Sequence, residues 1–150
     1  MNVVIIAIDK LRESYVRDGC ALYLKRLQPL LPVSLKEVRP SAGVGGAQAE
    51  GEAMLRGVGP DDRLWAVDPQ GRSLSSVELA GELAGVERSG SRRLVLAIGG
   101  ADGLSHAVRR RADLVWSLSN MTFVHEMARL IVLEQLYRAM KINRGEPYHR

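Results

Sequence analysis

The chain has 150 residues, 46% apolar and 25% charged, with a formal net charge of +4 and one cysteine, which fits a single soluble globular domain over residues 1–150. A lone Cys20 excludes an internal disulfide and has no Cys or His at metal-ligand spacing; with three histidines and no clustered carboxylates, no metal site is expected. The charge leans only mildly toward polyanions such as nucleic acid and assigns none by itself.

Val3–Ile8 is a β-branched and aliphatic run of strand length. It is too short to span a bilayer, and Asp9, Lys10 and Arg12 follow it in place of a cleavage site, so a cytoplasmic protein without a membrane segment is expected. Tyr15, Leu22, Tyr23 and Leu27 have helical spacing and predict a helix over 13–27, with Cys20 buried on it and Pro29 and Pro32 ending it. Val33–Val38 alternates like a strand, 41–46 is a glycine-rich loop, and 47–56 reads as a short helix. Residues 64–67 form a buried strand with Trp65 in the core, and Asp68-Pro69-Gln70-Gly71 reads as a turn. Ser75 and Glu78 have capping-box spacing for a helix over 77–87.

Leu94–Ile98 is the most strand-like run and ends at a glycine pair. Ser105 is placed to cap a helix over 106–112, whose Arg109, Arg110 and Arg111 read as a solvated face or C-terminal turn, with His106 at the surface. Residues 114–116, with Trp116 in the core, make another strand, and 125–143 make a long last helix stopped near Gly145 and Pro147. Strands alternating with helices predict an α/β fold with a mainly parallel sheet covered by helices on both faces. The last helix is apolar on more than one face, from Met127 and Ala128 to Met140 and Ile142, which predicts burial on two sides, one of them in a homodimer.

Two loops of small residues close the last two strands, Ile98–Gly103 and Ser117–Phe123, and backbone approaches a ligand closely where side chains are absent. The first is not a dinucleotide fingerprint, because Ile98 stands where that motif needs its first glycine. Cations gather late, at Arg129, Arg138, Lys141, Arg144 and Arg150, near these loops, although Glu134 and Arg138 are spaced for an i,i+4 ion pair. The chain finishes on Pro147-Tyr148-His149-Arg150, a phenol, an imidazole and a guanidinium with no core left to build.

Six separated blocks carry a resemblance that runs from end to end: Tyr23–Leu27; Asp68–Ser76; Ile98–Gly103; Ser117–Phe123 with His125; Glu134–Arg138; and Pro147–Arg150. In their order and spacing the chain resembles the ribosomal RNA large subunit methyltransferase H family, the smallest members of the SPOUT class of methyltransferases. Three positions depart from the family pattern: Asp9 for a usual glycine, Arg72 for a lysine and Val124 for a proline in a cofactor loop.

The resemblance implies a SPOUT fold with a C-terminal trefoil knot, a homodimer built on it, and S-adenosylmethionine as methyl donor, without a metal. Carried over by position, cofactor contacts fall on Val67, Gly100, Ser119, Asn120, Met121, Thr122, Phe123 and Val124. The implied reaction is methylation of N3 of a pseudouridine in large-subunit ribosomal RNA, presented by the assembled ribosome. N3 of a uracil is a weakly acidic imide that must lose its proton; His149 is a candidate acceptor, Arg138 or Arg150 a candidate for charge stabilisation or phosphate binding, and Tyr148 the anchor of the tail. A non-catalytic ribosome-binding factor and a knotted transfer-RNA methyltransferase stay open as alternatives.

Overall fold

The computed structural model describes residues 1–149. Its elements alternate: β1 (Asn2–Ile8), α1 (Ser14–Leu27), β2 (Val33–Val38), α2 (Gly46–Leu55), β3 (Arg63–Ser73), α3 (Ser76–Arg88), β4 (Arg93–Ile98), α4 (His106–Arg111), β5 (Leu114–Ser117) and α5 (His125–Asn143). The five strands form one sheet in the order β2-β1-β4-β3-β5, and every pairing is parallel. Side chains alternate across a strand, so Val3, Ile5 and Ala7 enter one core and Ile6 and Ile8 the other. Helices α1, α3 and α5 cover the first face, where Trp65 meets Trp116 edge to face at 6.5 Å, and α2 and α4 cover the second.

Local signals act where the sequence places them. Ser75 accepts from the Glu78 N–H and the Glu78 carboxylate accepts from the Ser75 N–H, closing the capping box of α3. Ser105 accepts from Val108 N at 3.3 Å and starts α4. Cys20 is buried on α1. Asp9 has φ +74°, the left-handed region that favours glycine; its carboxylate accepts from Lys10 N at 2.8 Å and pairs with Arg12.

One expectation is corrected. The Asp68–Gly71 turn does not end β3, which runs on to Ser73; Val67 and Arg72 both pair with Trp116, so the four intervening residues form a bulge within the strand. A Cβ at Gly71 would lie 2.5 Å from the Val115 carbonyl oxygen, so only glycine lets the chain return to β5 there. Helix α5 lies on the sheet and packs against both α3 and α1 of its own chain. Its two apolar sides are largely covered within one subunit.

Candidate functional site

A parallel sheet leaves its connecting loops in a row at the C-terminal ends of its strands, and a cleft is expected there. A cavity of about 440 Å³ occupies that edge, between the ends of β3 (Val67, Asp68, Pro69), β4 (Ile98–Gly103) and β5 (Leu118–Val124), with His125 and Ala128 of α5 closing it. Its lining is mainly apolar, with one carboxylate, Asp68, and one imidazole, His125. That volume and balance suit a ligand of nucleoside size held by a few polar groups.

Each wall has a local cause. After β4 the chain folds back so tightly that a Cβ at Gly99 would lie 2.6 Å from the Gly103 carbonyl carbon, and Gly103 N donates to Gly100 O at 3.1 Å. A Cβ at Gly100 would instead meet the Ile8 side chain at 3.1 Å and the Glu50 carboxylate at 3.7 Å. After β5, Ser117 Oγ donates to Ser119 O at 2.9 Å and Met121 N donates to Ser119 Oγ at 3.0 Å, so serine side chains shape the loop. Asp68 is buried, accepting from Gln70 N at 2.8 Å and from Arg109 at 3.3 Å, which sets its carboxylate in the wall. Met121 and Val124 stand 73% and 69% exposed at the mouth, apolar surface with no cover from this chain.

Seven of the eight residues named for the cofactor line the cavity: Val67, Gly100, Ser119, Met121, Thr122, Phe123 and Val124. Asn120 is exposed and is not among the lining residues. Asp68, Gly99 and His125, by contrast, line it without having been singled out as contacts. Asp68 opens one of the blocks that carry the resemblance, but its own chemistry reads as a turn and not as a ligand contact.

Arg129, expected among the late cations near the small-residue loops, does lie beside the cleft through His125, but it is buried. It is 1% exposed, donates to the carbonyls of Ile8 at 2.7 Å and Asp9 at 2.8 Å, and meets Glu37 at 3.4 Å. Burial lowers its pKa below the usual arginine value, and Glu37 works the other way. The Arg129 Nη2, whose two hydrogens serve those two carbonyls, also lies 3.3 Å from His125 Nδ1. Glu126, the next residue, accepts from the N–H groups of Arg12 and Glu13 at 2.6 and 3.1 Å at the start of α1. The first turn of α5 thus ties the cleft to the β1–α1 loop.

The tail forms a second cluster. Arg138 pairs with Glu134 at 2.5 Å, its guanidinium lies 4.8 Å over the Tyr148 ring, and its Nη1 is 3.3 Å from His149 Nδ1. Tyr148 is anchored at both ends, edge to face on Tyr137 at 4.8 Å and by its hydroxyl, 3.1 Å from both Glu134 Oε1 and Tyr23 Oη. Its single proton goes to the carboxylate, so Tyr23 donates to it. Burial first, then these hydrogen bonds, push the Tyr148 phenol well above its usual range, and it stays protonated at neutral pH. Glu134 likewise holds Arg138 charged. Lys141 and Arg144 both pair with Glu146, so the late cations are largely spent within the chain. Arg150 lies outside the described residues.

None of the tail cluster lines the cavity. Ala128 and Arg138 are ten residues apart on one helix, or about 15 Å along its axis. Among the described residues no three His, Cys, Asp or Glu side chains converge as a metal site, and no helix is long and apolar enough to cross a membrane.

This geometry, a parallel α/β sheet with a nucleoside-sized cleft built from small-residue loops, defines a domain of the ligand-binding α/β class. A family profile described as "Predicted SPOUT methyltransferase" matches residues 1–149. A protein of Synechococcus sp. (strain RCC307) named Ribosomal RNA large subunit methyltransferase H is 46% identical over 99% of this chain and 95% of its own. One of the same name from Carboxydothermus hydrogenoformans is 40% identical over the whole of both chains. A crystal structure of a probable methyltransferase from Bordetella pertussis Tohama I shares the fold, with a TM-score of 0.61 at 12% identity, covering 93% of this chain and 96% of that one. The chain belongs to the SPOUT methyltransferase family, on the branch of relatives named Ribosomal RNA large subunit methyltransferase H.

Proposed function

We propose that this protein transfers the methyl group of S-adenosylmethionine to N3 of a pseudouridine in large-subunit ribosomal RNA, within the ribosome and therefore in the cytoplasm. The observation that carries the reading is the cleft: the loops that resemble the family's cofactor loops enclose one cavity of about 440 Å³, a size that suits an adenosyl ligand. The glycine fold after β4 gives backbone room, and Asp68 supplies an acceptor for hydroxyl or ammonium groups. Bound there, the donor supplies an electrophilic methyl carbon on a sulfonium.

The chain's own part is to orient the uracil ring, exclude water and deal with the N3 proton. The tail is suited to this, yet it sits about 15 Å down α5 from the cleft of its own subunit. It therefore serves the cleft of a second copy, and the working unit is a homodimer built, in the family manner, on a C-terminal trefoil knot. Support comes from the uncovered Met121 and Val124 at the mouth and from Tyr15 and Leu22, which share an exposed face of α1. With Nδ1 of His149 accepting from Arg138, a neutral ring carries its proton on Nε2, a donor suited to charge developing on a uracil oxygen. To accept the N3 proton, the ring must first leave Arg138.

Radiolabelled methyl transfer to ribosomes from cells lacking the protein tests the reading, with mapping of the modified nucleotide. Label at N3 of a large-subunit pseudouridine is expected. No affinity for S-adenosylmethionine would leave a non-catalytic ribosome-binding factor, and transfer to transfer RNA alone would overturn the substrate.

A further inference from the structure

Helices in this topology run back against the strands, so helix C-termini gather at the sheet edge opposite the cleft. There the loop Gly57–Asp62 is stitched in place by two arginines. Arg93 donates to Gly57 O and lies 3.6 Å from Asp62, while Arg111 donates to Gly59 O at 3.2 Å and Asp62 O at 2.9 Å. Arg63 and Arg111 also reach Asp113, at 3.7 and 3.5 Å. The two aspartates are consumed by these bonds.

Next in sequence to the stitched residues stand Arg56, Arg92 and Arg110, all exposed and, among the described residues, without an ion-pair partner. Arg93 and Arg111 both bond to the loop that begins at Gly57, which brings Arg56, Arg92 and Arg110 to one edge of the molecule, after α2, before β4 and near the end of α4. Among the described residues, Asp61 and Glu52, one turn before Arg56, are acidic neighbours in sequence without such bonds. Six arginines against three aspartates and Glu52 leave an excess of two here, in a chain whose whole net charge is +4.

We infer that this edge is a docking surface for the phosphate backbone of the substrate RNA, an inference that rests on the proposed rRNA activity. Arginine is suited to it, since its planar fork meets phosphate oxygens in pairs. Position favours a polymer over a small anion: β4 spans the sheet from Arg93, next to Arg92, to Ile98 at the glycine fold, about 17 Å at strand rise. A ligand holding both the patch and the cleft of this subunit must extend at least that far. Of the three consecutive arginines, Arg109 and Arg111 are structural through Asp68 and the 59–62 loop, and only Arg110 is free to bind.

The test is the triple variant Arg56→Ser, Arg92→Ser, Arg110→Ser, beside a triple lysine variant. Melting temperature, solution mass and S-adenosylmethionine affinity should match the parent protein. Binding to large ribosomal subunits, and to their protein-free RNA, is then measured across salt. For the serine variant both should weaken roughly ten- to hundredfold near 0.1 M salt, with the slope of log K against log salt shallower by about two to three. The lysine variant should keep most of that slope. Unchanged RNA binding overturns the inference, whether or not the parent protein methylates the subunits, since the binding readout needs no methyl transfer. Loss confined to intact subunits, with protein-free RNA bound as before, also overturns it and marks the patch as a protein contact. Methyl transfer by the parent protein, run alongside, reports separately on the proposed activity.

Discussion

Gly99→Ala is the sharpest test of how the cleft is built. The new Cβ would lie 2.6 Å from the Gly103 carbonyl carbon, 2.9 Å from its oxygen and 2.9 Å from Leu104 N, all backbone atoms that no rotamer can move. The fold-back must open, at about 1–3 kcal/mol for the overpacking. Opening also breaks the bond from Gly103 N to Gly100 O, worth about 1 kcal/mol. A combined loss of about 2–4 kcal/mol lowers the melting temperature by roughly 4–16 °C for a chain of this length. The cavity wall moves with it, so S-adenosylmethionine affinity should fall by at least about tenfold. Calorimetric melting and ligand titration read both quantities. Gly81→Ala, on the exposed side of α3 with nothing within 4 Å, serves as control and should gain up to about 1 kcal/mol. Gly100→Ala should act more weakly than Gly99→Ala, since its Cβ meets the yielding Ile8 side chain first. A Gly99→Ala protein with parental melting and parental affinity would refute the account of the fold-back and of the site together.

Arg129→Met should destabilise by about 2–5 kcal/mol in urea unfolding, because the buried carbonyls of Ile8 and Asp9 lose their donor; a loss under 1 kcal/mol would mean that other donors replace it. His149→Ala should spare melting and cofactor binding while methyl transfer drops by about a hundredfold or more; deleting residues 147–150 should match that loss and also lower the melting temperature, since Tyr148 leaves Tyr137 and Glu134. Mixing the tail-deleted chain with Gly99→Ala should restore part of the activity if each tail serves the other subunit's cleft, and no recovery in a confirmed mixed dimer would sink that arrangement. Burial pushes the Glu126 carboxyl up, but the Glu13 and Arg12 N–H groups outweigh it and hold the pKa below the usual glutamate value. That lowered value contributes stability that is full above about pH 4.3 and is lost as pH falls through the folded-state pKa; Glu126→Gln should flatten this acid limb of the urea midpoint, and an unchanged limb would exclude the tether.

Elements with local causes were legible in the sequence. The capping box of Ser75 and Glu78, the Ser105 cap, the run Val33–Val38 and the boundaries of α5 each depend on residues a few positions apart. So were the loops that line the cleft, because a strand that ends in glycines or serines declares its own end. Longer-range packing escaped. Arg129 reads as one more late cation, and only the meeting of α5 with the ends of β1 and β2 makes it a buried clamp. Asp68-Pro69-Gln70-Gly71 has turn chemistry, and pairing with β5 on both sides of it turns that chemistry into a bulge.

The periodicity of the chain, then, determined an α/β protein with a covered parallel sheet, since strand and helix repeats are properties of neighbouring residues. Which strand lies beside which, and that the tail rests on Tyr23 and Tyr137 well away from the cleft, was decided only by tertiary structure. The reason is physical: contacts between residues tens of positions apart or more depend on how whole faces fill the space between sheet and helices, and no local window of sequence contains that volume.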